Sequence, residues 1–96
     1  MKNKDFGMYI RSLRKQKRIP QRLVAHKLDI DTSTLSKIEL GERQITIDMI
    51  PGLAEILEVD FKSLQIKFIS EKLLSDYKEQ PYFFEAVKKM LTKIKK

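Results

Sequence analysis

The chain has no cysteine and no tryptophan, and among its 96 residues there are one histidine, three glycines and three prolines. Without cysteine, neither a disulfide nor a thiolate metal site can staple the fold, which must rest on a packed core. His26 lacks Asp or Cys partners at metal-ligand spacing and is expected as a solvated helix residue, with no metal and no cofactor. No glycine-rich loop is present to cradle a phosphate, and no Ser/His/Asp arrangement activates a hydroxyl, so the chain is not expected to be an enzyme. No stretch approaches the roughly 18 apolar residues of a membrane span. The opening MKNKDFGMYIRSLRK holds no apolar run long enough for a secretory leader. The expectation is a soluble cytoplasmic protein with one modest core and no membrane partner.

Charge is plentiful, with a formal net of +7, and it is segregated. Residues 1–28 carry nine Lys/Arg against one Asp, or +8; residues 29–60 carry two against eight acids, or −6; residues 61–96 carry nine against four, or +5. Such segregation fits a polyanion-facing surface beside acidic ones, or a lysine-rich solvated surface. Charge alone does not choose between them.

The apolar periodicity is helical almost throughout. Phe6, Ile10 and Leu13 predict a first helix over about 5–17, with Asp5 as N-cap. Pro20 precedes QRLVAHKL, whose Val24, Ala25 and Leu28 share a face, and proline suits the start of a helix. Asp29, Ile30 and Asp31 form a tight turn. Asp31 then caps a third helix from Thr32 to about Glu39, which Gly41 ends. Thr46 is the expected cap of a fourth helix through Ile47, Ile50, Leu53, Ala54 and Leu57, bent by Pro51 or beginning only there. Asp60 caps a fifth, containing Phe61, Leu64, Phe68 and Ile69, although the alternation in LQIKFI (64–69) also tolerates a strand. Pro81 precedes an amphipathic helix over about 81–95.

The third helix is unusual for its hydroxyls. On a wheel of 100° per residue, Leu35 and Ile38 face inward. Ser33, Ser36, Lys37 and Leu40 then point away, with Thr32 and Thr34 on the flanks. Short polar side chains let a helix approach another surface closely, as entry into a DNA major groove requires. Gln21 opens the preceding helix, where its amide and the free backbone N–H groups suit a phosphate. A helix, a tight turn and a second helix make the geometry of a helix-turn-helix.

In order and at matching spacing, LRKQK in the first helix, Gln21 opening the second, Val24-Ala25-x-x-Leu28, STLSKIE and the following GER resemble the phage repressor and Cro (XRE-type) helix-turn-helix family. The resemblance covers roughly residues 6–64. It implies an all-α fold: a lambda-repressor-like five-helix domain over 1–64 with an additional C-terminal helical extension over 65–96. It further implies a transcriptional regulator whose partner is double-stranded DNA. By position, Gln21 takes the phosphate-gripping role, and Thr32, Ser33 and Lys37 the base-reading ones with Ser36 beside them. Lys37 suits guanine or a phosphate. Arg43 falls where the family touches the DNA backbone, and Thr34 is a further backbone candidate. Apart from the resemblance, Arg11, Arg18 and Arg22 are expected to face solvent, with backbone contact as the alternative. Arg14 and Glu39 match a structural ion pair, expected to be partly buried. Four positions depart from the pattern: Asp29 for the turn glycine, Pro20 for the Ser/Thr before the second helix, Pro51 within the fourth, and Leu40 for a polar residue.

The apolar residues beyond 64 include Phe68, Leu73, Phe83, Phe84, Val87, Leu91 and Ile94, too many to leave in water. They either pack back on the domain or form a homodimer, the favoured expectation, because one helix-turn-helix unit contacts a single half-site. The lysines at 88, 89, 93, 95 and 96 suit a solvated face. Stand-alone members of this size include restriction–modification controllers and phage-type repressors. The competing expectation is an antitoxin whose apolar C-terminal segment binds a partner protein.

Overall fold

A computed structural model describes residues 3–94, which form six α-helices and, within that span, no strand. They are α1 (Asn3–Gln16), α2 (Gln21–Lys27), α3 (Thr32–Glu39), α4 (Ile50–Leu57), α5 (Phe61–Tyr77) and α6 (Phe83–Ile94). The first five surround a core built from Phe6 and Ile10 of α1, Val24 and Ala25 of α2, and Leu35 and Ile38 of α3. Ile50, Leu53, Ala54 and Leu57 of α4 and Leu64 and Phe68 of α5 complete it, with Ile45 from the connecting loop. The edge-to-face pair Phe6–Phe68, with ring centres 5.3 Å apart, ties α1 to α5.

Four helix ends close by the same device. After α1, α2, α3 and α4, one residue takes a left-handed conformation: Arg18, Asp29, Gly41 and Glu58, with φ of 58°, 59°, 82° and 57°. The next residue's N–H then reaches five residues back, Ile19 to Arg14, Ile30 to Ala25, Glu42 to Lys37 and Val59 to Ala54, at 2.8–3.0 Å. Asp29 thus does the work expected of a turn glycine. Ile19, Ile30 and Val59 pack their side chains against the core, holding the non-glycine turns in place.

Several expectations change. Asp5 lies inside α1, which begins at Asn3, and is not its N-cap. Pro20 is extended and sits just outside α2 at its N-cap. Thr46 caps nothing with its side chain; Ile47–Met49 form a short 3₁₀ turn, and α4 starts at Ile50. Pro51 therefore falls in a first turn, where its missing N–H removes no bond. The segment LQIKFI is helical: Leu64 and Phe68, four apart, are buried, while Ile66 between them is 58 % exposed. Asp60 fixes this start by accepting from the Ser63 N–H at 2.9 Å. The boundary expected at 64/65 falls inside α5, which runs unbroken to Tyr77. Phe68, expected on a dimer surface, is buried in the domain's own core. Lys95 and Lys96, and the last residue of the helix expected over 81–95, lie outside the described residues.

Candidate nucleic-acid interface

The turn between α2 and α3 is fixed at both ends. Asp29 in its left-handed conformation turns the chain, and Asp31 accepts from the Thr34 N–H at 2.8 Å to start α3. That bond holds the Asp31 carboxyl below its ordinary pKa, aided by the Thr34 side chain and then by the positive charges of Lys37 and Arg43. Asp60 is lowered in the same way, first by the Ser63 backbone N–H and then by the Ser63 hydroxyl. In the unfolded chain both carboxyls return to an ordinary value near 4. The stabilisation they give is therefore complete above about pH 4 and fades as the pH falls through the lower folded-state values. Asp31→Ser retains an N-cap acceptor without a titrating charge. Thermal unfolding of that variant should vary less than the wild type's as the pH falls below about 4; an unchanged acid dependence would contradict the assignment.

Beneath α3 lies a polar network linking three helices. Arg14 Nε–H donates to Glu39 Oε2 at 2.7 Å and its Nη2–H to Oε1 at 3.0 Å, a two-pronged pair with both residues buried. A third guanidinium bond goes to the Ile19 carbonyl at 3.2 Å. The Gln21 amide donates to Glu39 Oε1 and to Ser36 Oγ, both at 3.1 Å. No buried side-chain polar atom among the described residues is left without a partner. The network sets the rotation of α3 relative to α1 and α2, and so which of its residues face outward.

The outward face is the one with short side chains. Thr32, Ser33 and Lys37 are exposed, and Thr34 and Ser36 are half-buried on its edges. Arg22 and Arg43 are exposed on α2 and in the loop after α3. Leu40, at the end of α3, continues the exposed face. The structure brings Gln21, Ser36, Arg14 and Glu39 into direct contact. The inward bonds of Gln21 and Ser36 have no signature in the sequence, since nothing in the local pattern relates residues 15 apart on different helices. Lys17, also unremarked in the sequence, reaches across to the Glu58 carbonyl at 3.0 Å and ties α1 to the end of α4.

A profile of the helix-turn-helix family matches residues 10–64, more than half of the chain. The chain belongs to the XRE-type helix-turn-helix family. It is accordingly a DNA-binding helix-turn-helix regulator, in a family of regulatory rather than enzymatic domains. The matched region runs from Ile10 in α1 to Leu64 in α5 and takes in the whole of the α2–turn–α3 unit. Comparison with curated proteins and with solved structures gives no significant match. Among the described residues of this XRE-type chain, no helix is long and apolar enough to cross a membrane, and no cluster of His, Asp or Glu could hold a metal ion. His26 is exposed.

Proposed function

We propose that the protein is a sequence-specific transcriptional regulator that acts as a homodimer on a pseudo-palindromic operator. α3 lies in the major groove, with Thr32, Ser33 and Lys37 at the base edges and Ser36 beside them. Arg22, Thr34 and Arg43 meet the phosphates; Gln21, whose side-chain amide is bonded inward to Glu39 and Ser36, is left to do so through its backbone N–H rather than its amide. The observation that carries this reading is the exposed, short-chain face of α3 with Lys37 at its centre, flanked by two exposed arginines and backed by the buried Arg14–Glu39 pair. In a dimer the two recognition helices enter successive major grooves about 34–36 Å apart. A restriction–modification controller or a phage-type repressor is the kind of regulator this describes.

Selection from a random duplex pool tests it. The enriched sequences should contain two related half-sites about 10 base pairs apart, centre to centre. Absence of any enriched sequence counts against the reading. On the enriched duplex, Lys37→Ala should cost about 1–3 kcal/mol and leave random-duplex binding nearly unchanged. Equal losses on both duplexes would reassign Lys37 to a phosphate.

A second reading, an antitoxin that neutralises a partner protein, draws support from the uncovered apolar residues of α6. A chain that remains monomeric alone and becomes a defined complex only with a second protein would favour it.

A further inference from the structure

α6 has no buried residue, yet its apolar side chains fall on one side of the helix. Phe83, Val87, Met90 and Ile94 form a stripe, and Glu85, Lys88, Lys89 and Thr92 occupy the opposite face. A free 12-residue helix is marginal in water, so this one needs a cover. Among the described residues, the rest of the chain covers it only in part, leaving Phe83 and Val87 half-buried and Met90 and Ile94 exposed. The link after α5 is a succession of tight turns through Pro81, with Gln80 N–H bonded to the Tyr77 carbonyl and Phe83 N–H to that of Gln80. It holds α6 off the end of α5, and the cleft between them has a volume of about 420 Å³. Leu73 and Tyr77 line one wall, and Phe83, Val87 and Met90 the other. The same two α5 residues also border a groove reaching Ile47 and Ile69, so the apolar surface is continuous.

We propose that a second copy of this chain covers the cleft, its α6 lying antiparallel against the first copy's α6 across a two-fold axis. The inference rests on the dimeric reading above and adds the interface. Three observations name the occupant. The stripe is spaced 4-3-4 residues, symmetric about the point between residues 88 and 89. A two-fold axis there sets Phe83 of one copy against Ile94 of the other and Val87 against Met90, which an isologous interface requires. Phe84 and Leu91, 68 % and 58 % exposed, share one flank of the stripe. The same axis brings that flank of each copy together, covering side chains that closure of the cleft within one chain would leave wet. Finally, apolar area is available: Tyr77, Phe84, Met90, Leu91 and Ile94 are 43–68 % exposed. Together with the half-buried Leu73, Phe83 and Val87 they supply a large part of the roughly 800 Å² per partner of a stable complex. A small-molecule site would hold several converging polar groups, and this cleft is walled almost wholly by apolar ones.

The full chain should sediment as a dimer at micromolar concentration. The double variant Val87→Glu, Met90→Glu should be monomeric there, with at least a hundred-fold weaker association and the thermal transition of the α1–α5 body retained. Because the chain is free of cysteine, orientation is tested directly. Mixing Phe83→Cys chains with Ile94→Cys chains under mild oxidation should give the mixed disulfide in excess of either homodisulfide. A wild-type monomer, a dimer that survives the glutamates, or a predominance of Phe83→Cys homodisulfide, as parallel helices would give, each overturns the proposal. A monomer would leave the cleft to a small apolar ligand or a different protein. A chain that dimerises through α6 but enriches no duplex overturns the DNA reading alone. One that enriches a palindrome while its dimer tolerates the glutamates overturns only this interface.

Discussion

Replacing Glu39 with alanine should lower the unfolding free energy by about 3–5 kcal/mol, because it leaves the Arg14 guanidinium buried without its counter-charge. Only the bond to the Ile19 carbonyl would remain to Arg14, and Gln21 would lose one of its two acceptors. Against a total of about 5–15 kcal/mol for a domain, the loss is large enough to populate the unfolded state measurably near body temperature. Urea denaturation reads it as a drop in midpoint at constant slope. The matched double replacement Arg14→Met, Glu39→Leu removes both charges and should recover most of the loss, since an apolar pair of similar size avoids the desolvation cost altogether. A loss below about 1 kcal/mol for Glu39→Ala would mean the pair behaves as an exposed one and would contradict its placement beneath α3.

Gly7→Ala should also be destabilising, by about 2–3 kcal/mol, although the residue lies in the middle of α1. Two effects of opposite sign meet there. Alanine in place of a mid-helix glycine is worth about 0.5–1 kcal/mol in favour of the helix. A β-carbon on Gly7, however, would overlap the carbonyl oxygen of Ile38, where α1 and α3 approach each other backbone to backbone. Neither side can yield by turning a side chain, so the helices must separate, and overpacking of this kind outweighs the propensity gain. Gly52 supplies the comparison. Its nearest neighbour would be the Leu28 Cδ2 at 3.3 Å, a movable side-chain end, so Gly52→Ala should be close to neutral. Thermal unfolding of the two variants side by side distinguishes the cases, and equal stability would show that α1 does not rest on α3 as closely as described.

The helices of the helix-turn-helix unit are legible because several local signals agree there. Pro20 before α2, Asp31 as cap, Leu35 and Ile38 at helical spacing and Gly41 after the last turn all set the same boundaries, and α3 occupies them. Legibility failed where one local signal acted alone. Thr46 is a good cap residue by type, yet Pro51 forbids a regular helix through it and moves the start to Ile50. The alternation of Leu64, Ile66 and Phe68 suggested a strand, but the core takes only the pair four residues apart. The left-handed turns at Arg18 and Glu58 are not legible in the sequence, because arginine and glutamate carry no turn signature. The aliphatic residue after each of them, Ile19 and Val59, was the readable clue, as Ile30 was after Asp29. The link from Gln21 to Ser36 depends on how three helices dock, and no spacing along the chain encodes it.

Fluorescence-anisotropy titration of an enriched duplex and its scrambled counterpart, at two salt concentrations, tests the central claim most directly. Specific recognition through α3 should appear as a preference of at least about a thousand-fold for the enriched duplex, with affinity for both falling steeply as salt rises. Equal binding to the two duplexes, abolished together by salt, would contradict it.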